Sequence, residues 1–192
     1  MPCGGTGERY RMIPGRVATL LPFDEKWTDL VRRWVNQPEV RCGTGTEGPV
    51  SDVEHRKWHE ALLLDRSQRV YVIGRGAGAD ATPVGLIGLK HLNWRSRSAE
   101  LWIYIGETGA RRGGLAEDAT RLLLDFGFNT LNLHRISLVV RQTNSAAVAL
   151  YKKAGFVHEG TAREQMFFEG AYVDVLCFAM LEHEFRERAA RP

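Results

Sequence analysis

Residues 111–126 read RRGGLAEDATRLLLDF, and the fold turns on how this stretch is read. Leu115, Ala119, Leu122, Leu123 and Phe126 recur at the spacing of an amphipathic helix that runs to about Thr130. Gly113 and Gly114 stand directly before it. Glycines there let the backbone turn tightly and leave amide N–H groups at the helix N-terminus, where the dipole favours negative charge. The arrangement suits a pyrophosphate. No Gly-Lys-Ser/Thr follows, which excludes a nucleoside-triphosphate loop, and the glycine spacing is not the G-x-G-x-x-G of dinucleotide sites. Taken alone, the stretch reads equally well as an ordinary glycine-containing turn from strand into helix.

Upstream, three short apolar runs at 69–74, 84–92 and 98–105 are β-branched or aromatic and bounded by Gly, Pro or Ser, the pattern of antiparallel strands in a meander. Before them, an apolar run at 16–23 precedes Asp24, after which Trp27, Leu30, Val31 and Trp34 fall at helical spacing until Pro38 stops the pattern. Residues 42–50, CGTGTEGPV, read as a flexible connection. Ser51-Asp52-Val53-Glu54 is a capping box that opens a second helix to about Leu64. Downstream, 134–141 (HRISLVVR) is a buried strand, and Asn144 opens a helix carrying Ala147, Leu150, Tyr151 and Ala154, closed by Gly155. Strands at 156–168 and 171–181 flank a hairpin turn at Glu169-Gly170. The expectation is a single α/β (α+β) domain over 15–184, with a loose arm at 1–14 and a tail at 185–192.

Composition agrees with one globular domain: 192 residues, 44% hydrophobic and 26% charged, with no repeat or low-complexity segment. No stretch reaches the ~18–20 apolar residues of a membrane span, and the first residues lack the apolar core of a signal peptide, so a cytoplasmic location is expected. Cys3, Cys42 and Cys177 are widely spaced, without a CxxC pair, and read as free thiols. The net charge of +3 comes from interspersed signs. The one basic and aromatic cluster, Trp94-Arg95-Ser96-Arg97, is short and reads as a solvated turn, so no nucleic-acid partner is expected.

Together, the 111–116 loop and the helix at 144–156 (NSAAVALYKKAGF) resemble the GNAT superfamily of acyl-CoA-dependent N-acyltransferases. The phosphate loop of that superfamily follows Arg/Gln-x-x-Gly-x-Gly/Ala, matched here by Arg111, Gly114 and Ala116. The resemblance spans about 84–181, and more loosely from 16. Over 131–181 it is most similar to the branch of ribosomal-protein-alanine, spermidine and aminosugar acetyltransferases. It implies a mixed, mostly antiparallel central sheet flanked by about four helices, with the fourth and fifth strands, here 98–105 and 134–141, splayed apart to admit the pantetheine arm of coenzyme A. The backbone of Ile103, Tyr104 and Ile105 would then face the pantetheine, and the amides of Arg112, Gly113, Gly114, Leu115 and Ala116 would hold the pyrophosphate, with Arg111 and Arg112 as charged supports. Asn144 and Ala147 would lie on the pantetheine side, and Tyr151, nearly two turns beyond Asn144 on the same face, would protonate the departing thiolate.

Amine acylation also needs a base, because only the free amine attacks a thioester. Glu100 is the first choice, acting directly or through water, and its rival reading is a surface carboxylate at a strand start. Tyr151 has a rival reading too, as part of the core stripe of its helix. Trp102 shares a strand face with Glu100 and would line the acceptor, and His55 with Trp58 on the second helix would wall it. His134 reads as structural, and His91, His158 and His183 have no ligand spacing, so no metal is expected. The implied co-substrate is acetyl-CoA or another acyl-CoA. The implied acceptor is a primary amine of a small molecule, such as an aminosugar, a polyamine or a biosynthetic intermediate. The alternatives are a protein N-terminus, acyl transfer from a carrier protein's phosphopantetheine, and a non-catalytic acyl-CoA-binding domain. The apolar C-terminal hairpin could pair two copies into a homodimer.

Overall fold

The computed structural model describes residues 11–44, 46, 48–111 and 113–190. The strands are β1 (Ile13–Pro14), β2 (Ala18–Pro22), β3 (Arg69–Arg75), β4 (Thr82–Asn93), β5 (Ser98–Ile105), β6 (Arg135–Arg141), β7 (Val157–Phe168) and β8 (Ala171–Leu181). The helices are α1 (Thr28–Val35), α2 (Pro38–Thr44), α3 (Asp52–Leu64), α4 (Leu115–Asp125), α5 (Ser145–Ala154) and α6 (Glu182–Ala189). Short 3-10 turns at Glu25–Trp27 and Thr108–Ala110 precede α1 and α4, and a π-helical turn, Phe126–Thr130, extends α4. The sheet runs β1-β2-β3-β4-β5-β6-β8-β7 and is mixed. Its β5–β6 pair is parallel, while β1–β2, β2–β3, β6–β8 and β7–β8 are antiparallel. The parallel register covers Ser98–Arg135, Ala99–Ile136 and Glu100–Ser137. These are the fourth and fifth strands expected from sequence, and they rank fifth and sixth because β1 adds a strand.

Two compact units divide the chain, the first comprising Met1–Gly88 and Ile103–Leu122, the second Leu89–Trp102 and Leu123–Pro192. In the first, Leu20, Val72, Ile73, Leu86 and Ile87 from the strands are buried, along with Trp34 of α1 and Leu115, Ala119 and Leu122 of α4. In the second, Leu89, Leu101, Leu123, Phe128, Ile136, Leu138 and Phe178 are buried. Both follow the predicted apolar stripes of strand and helix.

Trp34 is fully buried against the turn that follows β5. A Cβ at Gly106 would overlap its ring, so only glycine fits there, and the indole Nε1 donates to Glu107 Oε1 at 2.7 Å. Arg33 donates to the same oxygen at 3.1 Å. In α4, the buried Asp118 carboxylate accepts from Val17 N at 2.8 Å, Ala18 N at 3.0 Å and Arg121 Nη2 at 2.8 Å, tying β2 to α4.

Several expectations need amending. Pro38, read as a stop, begins α2, because a proline in the first helical turn has no amide that the helix would use. The connection expected at 42–50 is therefore helical through Thr44. Six helices flank the sheet among the described residues where about four were expected. Most of the 1–14 arm lies outside the described residues, but Ile13–Pro14 pairs with β2, and the segment expected as a tail carries α6. The capping box of α3 is present as expected, with Ser51 N donating to Glu54 Oε2 at 2.9 Å and Glu54 N to Ser51 Oγ at 3.3 Å. No helix of the described residues is long and apolar enough to cross a membrane.

Replacing Asp118 with Ala leaves the Val17 and Ala18 amides and Arg121 without their acceptor, and should destabilise the protein by about 3 kcal/mol at neutral pH, measured by urea unfolding. Burial alone would raise the pKa of this carboxyl, but the hydrogen bonds from Val17, Ala18 and Arg121 outweigh it and hold it below the ordinary value. Its contribution is therefore full above about pH 4 and is lost as pH falls through the depressed native value, so the gap between wild type and variant should shrink in acid.

Candidate functional site

Ile103, Tyr104 and Ile105 end β5 in the first unit, beyond the residues that pair with β6. On the β4 side the approach is close, since a Cβ at Gly85 would overlap the Tyr104 carbonyl. Burial pushes the pKa of the Tyr104 phenol well above the usual value. The next turn is fixed by Ala110 N donating to Glu107 O at 2.9 Å, Arg111 N to Thr108 O at 3.3 Å and Arg75 Nη2 to Gly109 O at 3.1 Å.

Gly113 and Gly114 then adopt φ values of +107° and +79°, two consecutive left-handed residues before α4. Both angles favour glycine, and the pair turns the chain into α4. Among the described residues nothing lies within 4 Å of where a Cβ would stand at either glycine, so this turn is open. The first bond of α4 runs from Asp118 N to Gly114 O at 2.9 Å, which places Leu115 and Ala116 in the first turn, where amides have no intrahelical acceptor. These residues fit a pyrophosphate. Arg111 is exposed beside them, and Arg112 lies outside the described residues.

Helices α1 and α3 complete the candidate residues of this unit. His55 and His59, one turn apart on α3, are only 3% and 5% exposed. Trp58 lies between them in sequence, its ring centroid 5.1 Å from His55 and 5.7 Å from Phe23, and Phe23 meets His59 edge-on at 5.0 Å. Burial, reinforced by His59 and Arg32, lowers the pKa of His55 against the opposing effect of Asp29. The connector after α1 is pinched shut by Asn36, whose Nδ2 donates to Val50 O at 2.9 Å while its Oδ1 accepts from Val50 N at 2.7 Å.

In the second unit, Glu100 is held by Lys90 Nζ at 2.8 Å and by His91 Nδ1 at 3.3 Å. Trp102 is half-buried two residues along the same strand. Asn144 caps α5, its Oδ1 accepting from Ala147 N at 3.2 Å, and Gly155 ends the helix at φ +100°. A Cβ at Gly155 would overlap the Arg188 guanidinium, which also donates to Lys153 O at 3.0 Å, so α6 braces the end of α5. Tyr151 is 6% exposed and edge-on to Phe156 at 5.9 Å, and burial pushes its phenol up to about 12. A phenol so placed stays protonated at neutral pH and can donate.

Each unit thus holds its own share of the expected residues: Ile103–Ile105, the glycine loop, His55 and Trp58 in the first, and Glu100, Trp102, Asn144, Ala147 and Tyr151 in the second. Sequence reasoning passed over His59, although its four-residue spacing from His55 was a usable signal. The Lys90 and His91 contacts of Glu100 carry no local signal. Among the described residues no cluster of three or more His, Cys, Asp or Glu side chains could hold a metal.

Comparison with known proteins places these features in context. The family described as acetyltransferase (GNAT) domain matches residues 18–157. The spermidine N(1)-acetyltransferase of Vibrio cholerae is 35% identical over 127 residues, 66% of this chain and 71% of the relative. The L-amino acid N-acetyltransferase of Escherichia coli is 31% identical over 156 residues, 80% of this chain and 91% of the relative. The crystal structure of spermidine N-acetyltransferase from Vibrio cholerae in complex with CoA and spermine superposes with a TM-score of 0.82 at 29% identity, covering 88% of this chain and 98% of that one.

At Gly114 the constraint on substitution is the left-handed backbone and not space. Gly114→Ala should therefore fold with a loss of about 1 kcal/mol and weaken acetyl-CoA binding about tenfold as the turn distorts, measured by thermal unfolding and calorimetric titration.

Proposed function

The chain belongs to the GNAT acetyltransferase family, and from that premise we propose that it acetylates the primary amine of a small molecule, with acetyl-CoA as donor, in a ternary complex. The observation that carries this reading is the open pair of left-handed glycines at the start of α4, which is suited to a pyrophosphate and leads into an 11-residue helix. Acetyl-CoA supplies the thioester. In the proposed arrangement Ile103, Tyr104 and Ile105 offer backbone to the pantetheine, Gly113 to Ala116 hold the pyrophosphate with Arg111 beside it, and Asn144 and Ala147 lie along the pantetheine.

Transfer requires the ammonium to give up a proton, the nitrogen to form a bond to the acyl carbon as the carbon–sulfur bond breaks, and the sulfur to gain a proton. Tyr151 is the proposed donor to sulfur, because its phenol is kept protonated by burial and has no hydrogen-bond partner among the described residues. Glu100 is the proposed acceptor of the amine proton, directly or through water, oriented by Lys90 and His91. Aminosugars, polyamines and biosynthetic intermediates are the acceptor classes. The polyamine class has support in the names of the spermidine-acetylating relatives. The proposed setting is the cytoplasm, with no nucleic-acid or membrane partner.

Calorimetric titration with acetyl-CoA should show micromolar binding, and a panel of amines assayed for CoA release should then show turnover. Tyr151→Phe should lower kcat by about 100-fold while leaving the Kd for acetyl-CoA unchanged. Equal turnover in the two proteins would remove Tyr151 from the acid role. Because the phenol sits at about 12, its ionisation should leave the wild-type kcat flat up to about pH 10.

A further inference from the structure

In the first unit, helices α1 and α3 and the turn before them carry buried polar atoms without hydrogen-bond partners. Both ring nitrogens of His55, Nε2 of His59, Oγ1 of Thr28, Nε of Arg32 and Nε1 of Trp27 are in this state among the described residues. Buried polar atoms are nearly always paired, so several on neighbouring elements call for a ligand or a function.

Several of the residues that carry these atoms lie near one another. Arg32 Nε lies 3.7 Å from Asp52 Oδ1, which links the two helices, and Thr28 stands one turn before Arg32 on the same face of α1. His55 and His59 stand one turn apart on α3, and His55 feels the charges of His59, Arg32 and Asp29. Around them the rings of Phe23 and Trp58 supply apolar walls.

The chemistry of the set is mixed. A neutral imidazole has one donor and one acceptor, a threonine hydroxyl is both, and the Arg32 and Trp27 nitrogens only donate. Two carboxylates near them are Asp52, paired with Arg32 and Arg56, and Asp29, which is exposed. No carboxylate oxygen belongs to the unpartnered set. A linear polyamine offers N–H donors and multiple positive charge. To be desolvated it needs buried anions, and here it would meet a guanidinium. A hydroxyl gives and accepts together, as this set requires, and the C–H faces of a saturated ring suit aromatic walls.

We infer that the α1–α3 set recognises hydroxyl groups on the body of the acceptor, and that the acceptor is a hydroxylated primary amine of the aminosugar, aminocyclitol or amino-alcohol class. This deepens the acetyltransferase reading and rests on it. His55, His59, Thr28 and Arg32 are the residues that set specificity.

The test is a CoA-release assay of the full chain on hydroxylated primary amines, each matched to a hydroxyl-poor counterpart. Glucosamine is compared with cyclohexylamine, and 2-amino-1,3-propanediol with isopropylamine, with spermidine as a third arm. The hydroxylated member should be favoured about tenfold or more in kcat/KM, the ratio expected when one well-placed hydrogen bond is lost. His55→Phe, and the milder Thr28→Val, should collapse that preference through KM with the Kd for acetyl-CoA unchanged, and His55→Gln should restore part of it.

Spermidine turning over as well as the best hydroxylated amine would overturn the inference, as would a preference that survives both substitutions. Variants that melt higher with KM unaltered would show a set that serves internal water only, which also overturns it. Acetyl-CoA binding without turnover of any hydroxylated amine sinks this inference alone, whereas absent acetyl-CoA binding sinks the acetyltransferase reading beneath it.

Discussion

Trp34 takes the space that a side chain at position 106 would occupy, and its indole hydrogen bonds to the next residue, Glu107. Through this contact α1 is held against the turn that connects β5 to the glycine loop. An indole buried on a backbone with its N–H satisfied contributes through packing and hydrogen bonding together. It also fixes the helix whose Thr28 and Arg32 belong to the unpartnered polar set relative to the strand end carrying Ile103, Tyr104 and Ile105. Both ends of that link lie in one compact unit. The Asp118 carboxylate does similar work nearby, fastening the start of β2 to the helix that opens at the glycine pair.

Local signals made much of this legible in the sequence. The capping box at Ser51, the glycine closing α5, the tandem glycines and the alternating strands each rest on neighbouring residues, where backbone geometry and side-chain chemistry act directly. Pro38 misled because the same residue stops one helix and starts another, and only the following chain decides which. The partners of Glu100 were not readable, since Lys90 and His91 reach it across a strand pair whose register the sequence leaves open. Trp34 and Glu107, far apart in the chain, were equally hidden. His134, read as structural, stands 3.9 Å from Glu182, and Arg97 donates to the same carboxylate at 3.0 Å.

Burial acts in opposite directions on two of the titrating groups. It raises Tyr151, keeping a proton on an acid, and lowers His55, keeping a proton off a base. In both cases the neutral form prevails because a charged one would be poorly solvated. A protein that handles a cationic amine and an anionic leaving group has use for neutral donors and acceptors at the points where neither charge should bind too tightly.

The brace between α5 and α6 makes positions 155 and 188 interdependent in an asymmetric way. The left-handed backbone holds residue 155 to glycine whatever stands at 188, whereas a glycine at 155 leaves room for many side chains at 188. In a lineage of related chains, variation should therefore collect at 188 while 155 stays fixed. The pair would look uncorrelated to any measure of coevolution despite its direct contact.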